Sequence, residues 1–466
     1  MFQYNNLITE SDIIHHAKQL EGKAIKEIGP EYEVNKWISN SSNKGAIGNA
    51  IQEVYFGIPA NSSKLSDFHY HDLELKVTPI KKTKKDGYSS KERLVLNIIN
   101  YEEDYKYSFN KSSLINKCNQ ILLVFYLYEQ DKFTLDFKIL KVTKFIIPEE
   151  DLPTVEEDYN IIIKKIREGK AHLLSEGDTT YLAACTKGAG KDKDWRKQPF
   201  SKELAKQRAF SFKSGYMTNF FNSLNNKVEN KLNIPNNLSL NEFINKTIKP
   251  YYNLSTKELE NKLNYYPKLK QGQDKGYLSH LTKQLSQRIF SLEGIDLDKS
   301  EQFKKAQLKF KTICLRENKT KNQDMSWPNL DFKEILDLPF DESSWYEWFV
   351  ETKYLFIYFK EMNNDVYLVN HKIWHAPIDM ISELERLYNH IKNMLLENSI
   401  TVTLITEKSG RVIWKNNLPG KNDFKYFQIR PKGTKVHSFT TLPNGQKFKK
   451  QCLFVNKEFI HSLIEM

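Results

Sequence analysis

Two stretches of the chain carry the same structural signals in the same order, and this order limits the fold more than any other property of the sequence. Each half begins with a helix pattern, followed by a strand with charged residues and then by a strongly apolar strand. Each half later has a strand that ends in basic residues, and it closes with an aromatic-rich helix. The corresponding segments are 44–56 and 274–290, 72–78 and 307–312, 121–128 and 354–359, 181–187 and 427–432, and the helices around Phe220 and Phe459. A repeat of roughly 230 residues is far longer than a solenoid unit, so we predict two homologous domains.

The polar stretch 225–237 is the expected junction, and we place the two domains at residues 1–228 and 229–466. Each domain is expected to belong to the α/β class, with a mixed central sheet flanked by helices. In the first half, the patterns predict helices at 11–27, 155–168 and 201–209 and strands at 72–80, 93–100, 121–128 and 133–145. A turn signal at 85–88 predicts that the first two of these strands form a long antiparallel hairpin. The alternative, two unrelated α/β domains whose short matches arise by chance, stays open from the sequence alone.

The charge balance favours a polyanionic partner. The 466 residues include 70 Lys and Arg against 58 Asp and Glu, a formal net charge of +12 at pH 7, and basic surfaces attract nucleic acid. The four cysteines lie far apart and form no CxxC pair, which indicates a reducing cytoplasm rather than a disulfide framework. No apolar run reaches the roughly 20 residues of a membrane-spanning helix, and the N-terminus lacks the pattern of a secretory signal. We therefore expect a cytoplasmic protein without a membrane partner.

One group of charged residues in the first half has the composition of a phosphodiesterase site. Glu74 and Lys76 project from the same face of the strand at 72–78, because side chains alternate along a strand. Asp67 lies seven residues before Glu74, and Glu53 lies on the preceding helix. Mg²⁺ prefers carboxylate oxygens, and it lowers the pKa of a bound water and neutralises charge in the transition state. We expect Asp67 and Glu74 to hold Mg²⁺, Lys76 to contact the attacking water, and Glu53 to complete the site. The alternative is an exposed strand face, with Asp67 as a turn residue.

The surroundings of this group resemble a known family. The matching stretches are Lys44-Gly45-x-Ile47, Glu53-x-Tyr55-Phe56-Gly57, Asn61-Ser62, Asp67-Phe68, Leu73-Glu74-Leu75-Lys76-x-Thr78-Pro79, and residues 89–97, 168–172 and 212–217. They are similar to the mismatch-repair nicking endonuclease MutH, and still more to the MutH-related type II restriction endonucleases typified by the Sau-3A enzyme. One extra residue between Gly48 and Gly57 leaves Glu53 or Gln52 as the counterpart of the family glutamate, and the spacing to Gly57 favours Glu53.

The second half resembles the same domain but lacks the carboxylates. Lys309-Phe310-Lys311 stands where Glu74-Leu75-Lys76 stands in the first half, and Gln302 stands where Asp67 stands. A site without carboxylates is unsuited to Mg²⁺. The run 428–432 nevertheless resembles the DNA-reading strand end of MutH, so we expect the second half to bind DNA without cutting it.

Basic segments predict how DNA is held. Residues 81–93 and 191–208 each carry a net charge of +4, and such segments can neutralise phosphates. By resemblance, the candidates for DNA contact are Lys187, Tyr216, Arg430 and Lys432, and Lys117 is a possible additional active-site lysine. The alternative for any single lysine is a solvated surface residue.

The resemblance implies a type II restriction endonuclease of a restriction-modification system, which uses Mg²⁺ to cut double-stranded DNA at GATC. It also implies that the second copy acts as an allosteric effector. One catalytic centre per chain cannot cut both strands at once, so we expect either a DNA-induced homodimer or two sequential nicks. Two alternatives remain: a repair-type nickase recruited by partner proteins, and a DNA-binding regulator without catalysis.

Overall fold

The computed structural model describes residues 4–39, 45–59, 65–83, 87–188, 194–225, 230–267, 277–290, 296–318, 324–406, 412–432 and 438–465. The chain divides into two compact units. The first unit consists of Met1–Asn245 together with Asp298–Gln307, and the second consists of Lys246–Leu297 and Leu308–Met466. A short segment from the second half of the sequence is therefore part of the first unit. No helix in the described part of the chain is long and apolar enough to cross a membrane.

The first unit is a mixed α/β structure built on two small sheets. Its strands are β1 (Leu73–Lys82), β2 (Tyr88–Ser90), β3 (Leu94–Ile98), β4 (Gln120–Leu127), β5 (Ile139–Phe145), β6 (Leu182–Thr186), β7 (Trp195–Gln198), β8 (Ser201–Lys206) and β9 (Arg208–Phe212). Its helices are α1 (Glu10–Lys18), α2 (Glu31–Ile38), α3 (Ala46–Ala50), α4 (Ser113–Cys118), α5 (Leu152–Arg167), α6 (Ser214–Ser223) and α10 (Glu301–Lys305), and α7 (Leu240–Ile248) spans the boundary with the second unit. The strand orders are β2-β1-β4-β5 and β3-β9-β6, and β7 and β8 form a separate hairpin.

The second unit repeats this arrangement. Its helices are α8 (Thr256–Leu263), α9 (Tyr277–Ile289), α11 (Phe332–Asp337), α12 (Ser344–Tyr346), α13 (Ile378–Leu396) and α14 (Lys457–Glu465). Its strands are β10 (Leu308–Leu315), β11 (Met325–Asn329), β12 (Lys353–Met362), β13 (Asp365–Trp374), β14 (Val402–Thr406), β15 (Val412–Asn416), β16 (Phe427–Pro431), β17 (Phe439–Thr441), β18 (Lys447–Lys449) and β19 (Gln451–Val455). The strand orders are β10-β12-β13 and β11-β19-β16, with β14–β15 and β17–β18 as separate hairpins.

Apart from the short edge strand β2, the strand orders of the two units correspond, and so do the strand pairings. In each, the first strand runs parallel to the apolar strand, which pairs antiparallel with the next one. The second sheet is antiparallel in both units. Chance matches between unrelated domains would not reproduce these pairings, so the prediction of two domains of one mixed α/β fold is confirmed.

The core of the first unit explains why the central strands form. The run 121–125 of β4 is fully buried, as is typical of a strand covered on both faces. Leu73 and Leu75 on β1 pack in the same core cluster as Phe56 and Phe68. These contacts fix β1 at the point where its charged residues begin.

Four local predictions for the first half were wrong. The helix predicted at 11–27 ends at Lys18, and a separate 3₁₀ turn forms at Ile25–Glu27, because Gly22 has a positive φ of 87° and the backbone of 22–25 bonds to residues 137–139. Residues 201–209 form β8 and the start of β9 instead of a helix, because pairing of β8 with β7 and of β9 with β6 overrides the helical propensity of this segment. The predicted long hairpin is only three residue pairs between β1 and β2, since the strand predicted at 93–100 pairs with β9 in the other sheet. The turn signal of the predicted hairpin, at 85–88, lies partly outside the described residues. The strand predicted at 133–145 begins at Ile139, after a 3₁₀ turn at Thr134–Asp136.

Candidate active site

Strand β1 brings Glu74 and Lys76 together. Their side chains share one face of the strand, and Lys76 Nζ lies 2.7 Å from Glu74 Oε1. Glu74 is only 2% exposed, while the Lys76 side chain keeps 20% of its surface exposed. A buried carboxylate without a partner would be costly, so the lysine also compensates the charge of Glu74.

The loop before β1 folds back and places Asp67 beside Glu74. Its Oδ2 accepts a hydrogen bond from the Leu75 backbone N–H at 3.0 Å, and its own N–H donates to Glu74 Oε2 at 3.3 Å. A left-handed residue, Asp72 with φ of 49°, closes the turn between the loop and the strand. The structure therefore brings Asp67, Glu74 and Lys76 to one place, as the sequence spacing predicts.

The electrostatics of this group favour an additional cation. Burial, followed by the nearby charge of Glu74, raises the pKa of Asp67 to about 6. Burial alone would lower the pKa of Lys76, but Glu74 raises it above its usual value, so this lysine stays charged. Two carboxylates that repel each other in a partly dry site are stabilised by a positive ion between them.

A divalent metal ion fits the donors at this site. Asp67 and Glu74 offer carboxylate oxygens, the ligands that Mg²⁺ prefers. Among the described residues there is no cluster of three or more His, Cys, Asp or Glu side chains suited to a metal ion. Such an ion would therefore take its other ligands from water and from phosphate oxygens, which is usual for Mg²⁺.

The helical residue that contacts Asp67 is Gln52. Its Nε2 donates to Asp67 Oδ1 at 3.0 Å. Glu53, which the spacing favours, instead accepts a hydrogen bond from the Trp37 indole N–H at 3.2 Å. The spacing to Gly57 leaves Gln52 only as the alternative to Glu53, and no sequence motif marks Trp37.

A π-helical turn at Ile51–Tyr55 explains this arrangement. The N–H of Phe56 bonds to the carbonyl of Ile51 at 3.1 Å, five residues earlier. Such a turn holds one residue more than an α-helical turn. It therefore accommodates the one residue that this chain has in excess of the family pattern between Gly48 and Gly57. π-turns of this kind occur frequently at functional sites.

Lys117 lies beside the same carboxylate. It is in the last turn of α4, three residues before β4, and its Nζ lies 3.7 Å from Glu74 Oε1. Because β4 runs parallel to β1, the start of β4 is held next to the start of β1, where Glu74 stands. The neighbouring Cys118 is buried, and this burial raises the pKa of its thiol to about 12, which makes it a poor nucleophile.

The equivalent place in the second unit has different chemistry. Glu74 is the second residue of β1 and pairs with β4, and Lys309 is the second residue of β10 and pairs with β12 in the same register. Lys311 takes the position of Lys76, and its Nζ lies 4.6 Å from the centre of the Trp327 ring. Gln302, the counterpart of Asp67 by spacing, is buried in α10, which belongs to the first unit, and it accepts a hydrogen bond from the Leu232 backbone N–H.

The candidate DNA-contacting residues occupy different environments. Lys187 and Lys432 directly follow β6 and β16. Their backbone N–H groups donate to the carbonyls of Gln207 and Lys450, the residues that directly follow the hairpins β7–β8 and β17–β18. Both lysines therefore hold equivalent positions in the two units. Arg430 is exposed but forms an ion pair of 2.6 Å with Asp324.

Tyr216 is the candidate that the structure places least favourably. It is 1% exposed, and its hydroxyl donates to Asp151 at 2.8 Å. A base could contact this ring only after a rearrangement of the surrounding helices.

Two comparisons with known proteins agree with this geometry. A family model described as the DNA mismatch repair enzyme MutH matches residues 56–158, which include Asp67, Glu74, Lys76 and Lys117. The type II restriction enzyme Sau3AI from Staphylococcus aureus is 31% identical over 473 residues, covering 97% of this chain and 93% of that enzyme. The chain belongs to the Sau3AI-type restriction endonuclease family. It is thus a site-specific deoxyribonuclease with a MutH-type domain, and this confirms the family resemblance.

Proposed function

We propose that this endonuclease uses Mg²⁺ to hydrolyse double-stranded DNA at GATC, with its active site in the first unit. The contact of Asp67 with Glu74, beside Lys76, carries the proposal, because it joins two anionic oxygen donors to a cationic group. The similarity to Sau3AI supports the restriction activity. The choice of GATC rests on the resemblance of the sequence motifs.

The chain's own residues have separable roles. Asp67 and Glu74 would hold the metal ion, which when bound neutralises charge on the scissile phosphate and activates water. Lys76 lies next to Glu74 and would orient the attacking water and stabilise developing charge. Gln52 fixes the orientation of the Asp67 carboxylate by donating to its Oδ1, and Lys117 adds a second positive charge near Glu74.

The second unit would bind DNA as an effector copy without cutting it. Lysines stand at the positions that Glu74 and Lys76 occupy in the first unit, and positive side chains do not bind Mg²⁺. One catalytic centre per chain requires either a DNA-induced homodimer or two successive nicks to break both strands.

Digestion of a supercoiled plasmid with several GATC sites tests the proposal. With Mg²⁺, we expect linear fragments whose sequenced ends all fall at GATC, and with EDTA we expect intact plasmid. A transient open-circle form would indicate successive nicks, and its absence would indicate paired cutting by two chains. Uncut plasmid with Mg²⁺ would refute the endonuclease, and ends at other sequences would refute the assignment of GATC.

A further inference from the structure

The second unit contains a hairpin that has no counterpart among the described residues of the first. Between α5 and β6 the chain has 14 residues, all described, and they form only two 3₁₀ turns. Between α13 and β16, the equivalent connection, it has 30 residues and forms β14 and β15. The insertion is thus specific to the unit that lacks the catalytic carboxylates.

This hairpin exposes large apolar side chains. Leu404, Ile405, Val412 and Ile413 are 57%, 42%, 49% and 36% exposed. Ile405 and Ile413 stand directly opposite each other, and they share their face of the ribbon with Thr403 and Lys415, which are also exposed. In the described chain, β14 and β15 pair only with each other. A two-stranded ribbon is marginally stable by itself, so a partner that covers this face would stabilise it.

The surface beside the hairpin is strongly basic. Trp414 on β15 packs against Phe439 on β17 at 4.9 Å between ring centres, and Lys447 on β18 lies 4.7 Å from the same Phe439 ring. β18 leads directly into Lys450, whose carbonyl accepts from Lys432. The described residues of 402–406, 412–416, 427–432 and 438–450 include six basic side chains and no acidic one. They are Lys415, Arg430, Lys432, Lys447, Lys449 and Lys450. Asp324, from outside these ranges, pairs with Arg430, so the five lysines carry the positive charge of this surface.

We propose that β14 and β15 form a DNA-contacting ribbon, which enters the major groove with Ile405 and Ile413 while the neighbouring lysines contact phosphates. This inference deepens the proposed function and rests on the second unit binding DNA. The major groove is about 12 Å wide and admits a two-stranded ribbon, and apolar side chains there contact the thymine methyl group. A second copy of the chain is disfavoured as the occupant, because it carries the same net charge of +12 and would repel this basic surface.

Site-specific photocrosslinking of the full-length chain tests the ribbon. p-Benzoyl-phenylalanine replaces Ile413, and the protein is irradiated in EDTA with a fluorescent duplex that carries one GATC. The matched control is the same replacement at Ile378, which is 77% exposed in the same unit and lies outside the ribbon and its basic surface. Neither side chain belongs to the buried core cluster of the second unit, so neither replacement opens a cavity in it. We expect at least ten times more DNA adduct from position 413 than from position 378.

Two results would overturn the inference: equal DNA adducts from the two positions, or crosslinks from position 413 that join two protein chains. The unmodified protein is incubated in parallel with the same duplex and Mg²⁺. If the unmodified protein cleaves the duplex but position 413 gives no specific adduct, the DNA-contacting role of the ribbon is refuted and the proposed function is not. Absence of cleavage would count against the proposed function itself.

Discussion

Replacement of Lys305 by Met is expected to destabilise the first unit strongly. Lys305 on α10 is 6% exposed in its side chain and pairs with Asp151 and Glu301, both at 2.8 Å. Helix α10 comes close to α6 at Gly215, where an added Cβ would lie 2.6 Å from the Lys304 carbonyl oxygen. Without the ammonium group, the buried Asp151 carboxylate would keep, among the described side chains, only the Tyr216 hydroxyl as a hydrogen-bond partner.

The magnitude follows from the protonation of Asp151. Burial already raises the pKa of this carboxyl while Lys305 is present. In the variant, the carboxyl would take up a proton to remain buried. Protonating a carboxyl group costs about 1.4 kcal/mol for each pH unit above the ordinary pKa of that group. At pH 7, which lies about three units above the ordinary pKa of an aspartate, the cost is about 4 kcal/mol. That value agrees with the roughly 3–5 kcal/mol lost when a buried pair is broken.

The pH dependence has a definite sign. The folded-state pKa of Asp151 in the variant lies above its unfolded value, so the unfolded state loses its proton first as pH rises. The destabilisation should therefore grow from about 1–2 kcal/mol near pH 5 to about 4 kcal/mol near pH 7. Urea unfolding followed by circular dichroism at both pH values measures it.

Two further variants control this experiment. Lys231 is 50% exposed and bridges Glu150, and Lys231→Met should cost less than about 1 kcal/mol. Adding Asp151→Asn to the Lys305 variant should restore most of the lost free energy of unfolding and abolish the pH dependence of the loss, because the buried carboxyl group is gone. A Lys305 variant as stable as the unmodified protein, or a loss that is the same at both pH values, would refute the reasoning.

Three other predictions follow from the structure. Gln52→Leu should lower the cleavage rate roughly 10–100-fold with little change in DNA affinity, because Asp67 loses its orienting donor; an unchanged single-turnover rate would contradict this. Asp158 is fully buried and accepts from three backbone N–H groups at 2.6–2.9 Å, so Asp158→Ala should cost about 3–5 kcal/mol of unfolding free energy in urea. Burial, and to a smaller extent the charge of Lys249, lowers the pKa of His371 to about 4. The unfolded state therefore takes up a proton first as pH drops from 6.5 to 4, and the free energy of unfolding should fall by about 1–2 kcal/mol, with allowance for the partial exposure of the ring. In thermal unfolding, His371→Gln should remove this loss.

Sequence patterns predicted the features that depend on local periodicity. Alternation along β1 placed Glu74 and Lys76 on one face, and the apolar run of β4 indicated a buried neighbouring strand. The same pairing register in β10 explains why Lys309 could be aligned with Glu74 without a structure.

Features that depend on distant pairing were not predicted. The segment 201–209 has helical propensity, but its backbone hydrogen bonds go to other strands. The π-turn directs Gln52, instead of Glu53, toward Asp67. The regular spacing of an α-helix does not reveal this change in side-chain direction. The hairpin β14–β15 did have a signal, since the stretches 402–406 and 412–413, in which every residue except Leu404 is β-branched, flank Ser409-Gly410.

The most direct test of the central claim compares Glu74→Ala with Lys309→Ala, the equivalent residue of the second unit. Single-turnover cleavage of a GATC duplex is measured with Mg²⁺ for both variants. Loss of a metal ligand removes several kcal/mol of transition-state stabilisation, so Glu74→Ala should cut about 1000-fold more slowly, while Lys309→Ala should still cleave a bound duplex. A Glu74→Ala protein that cuts at the normal rate would contradict the account, and so would a Lys309→Ala protein whose bound duplex stays uncut.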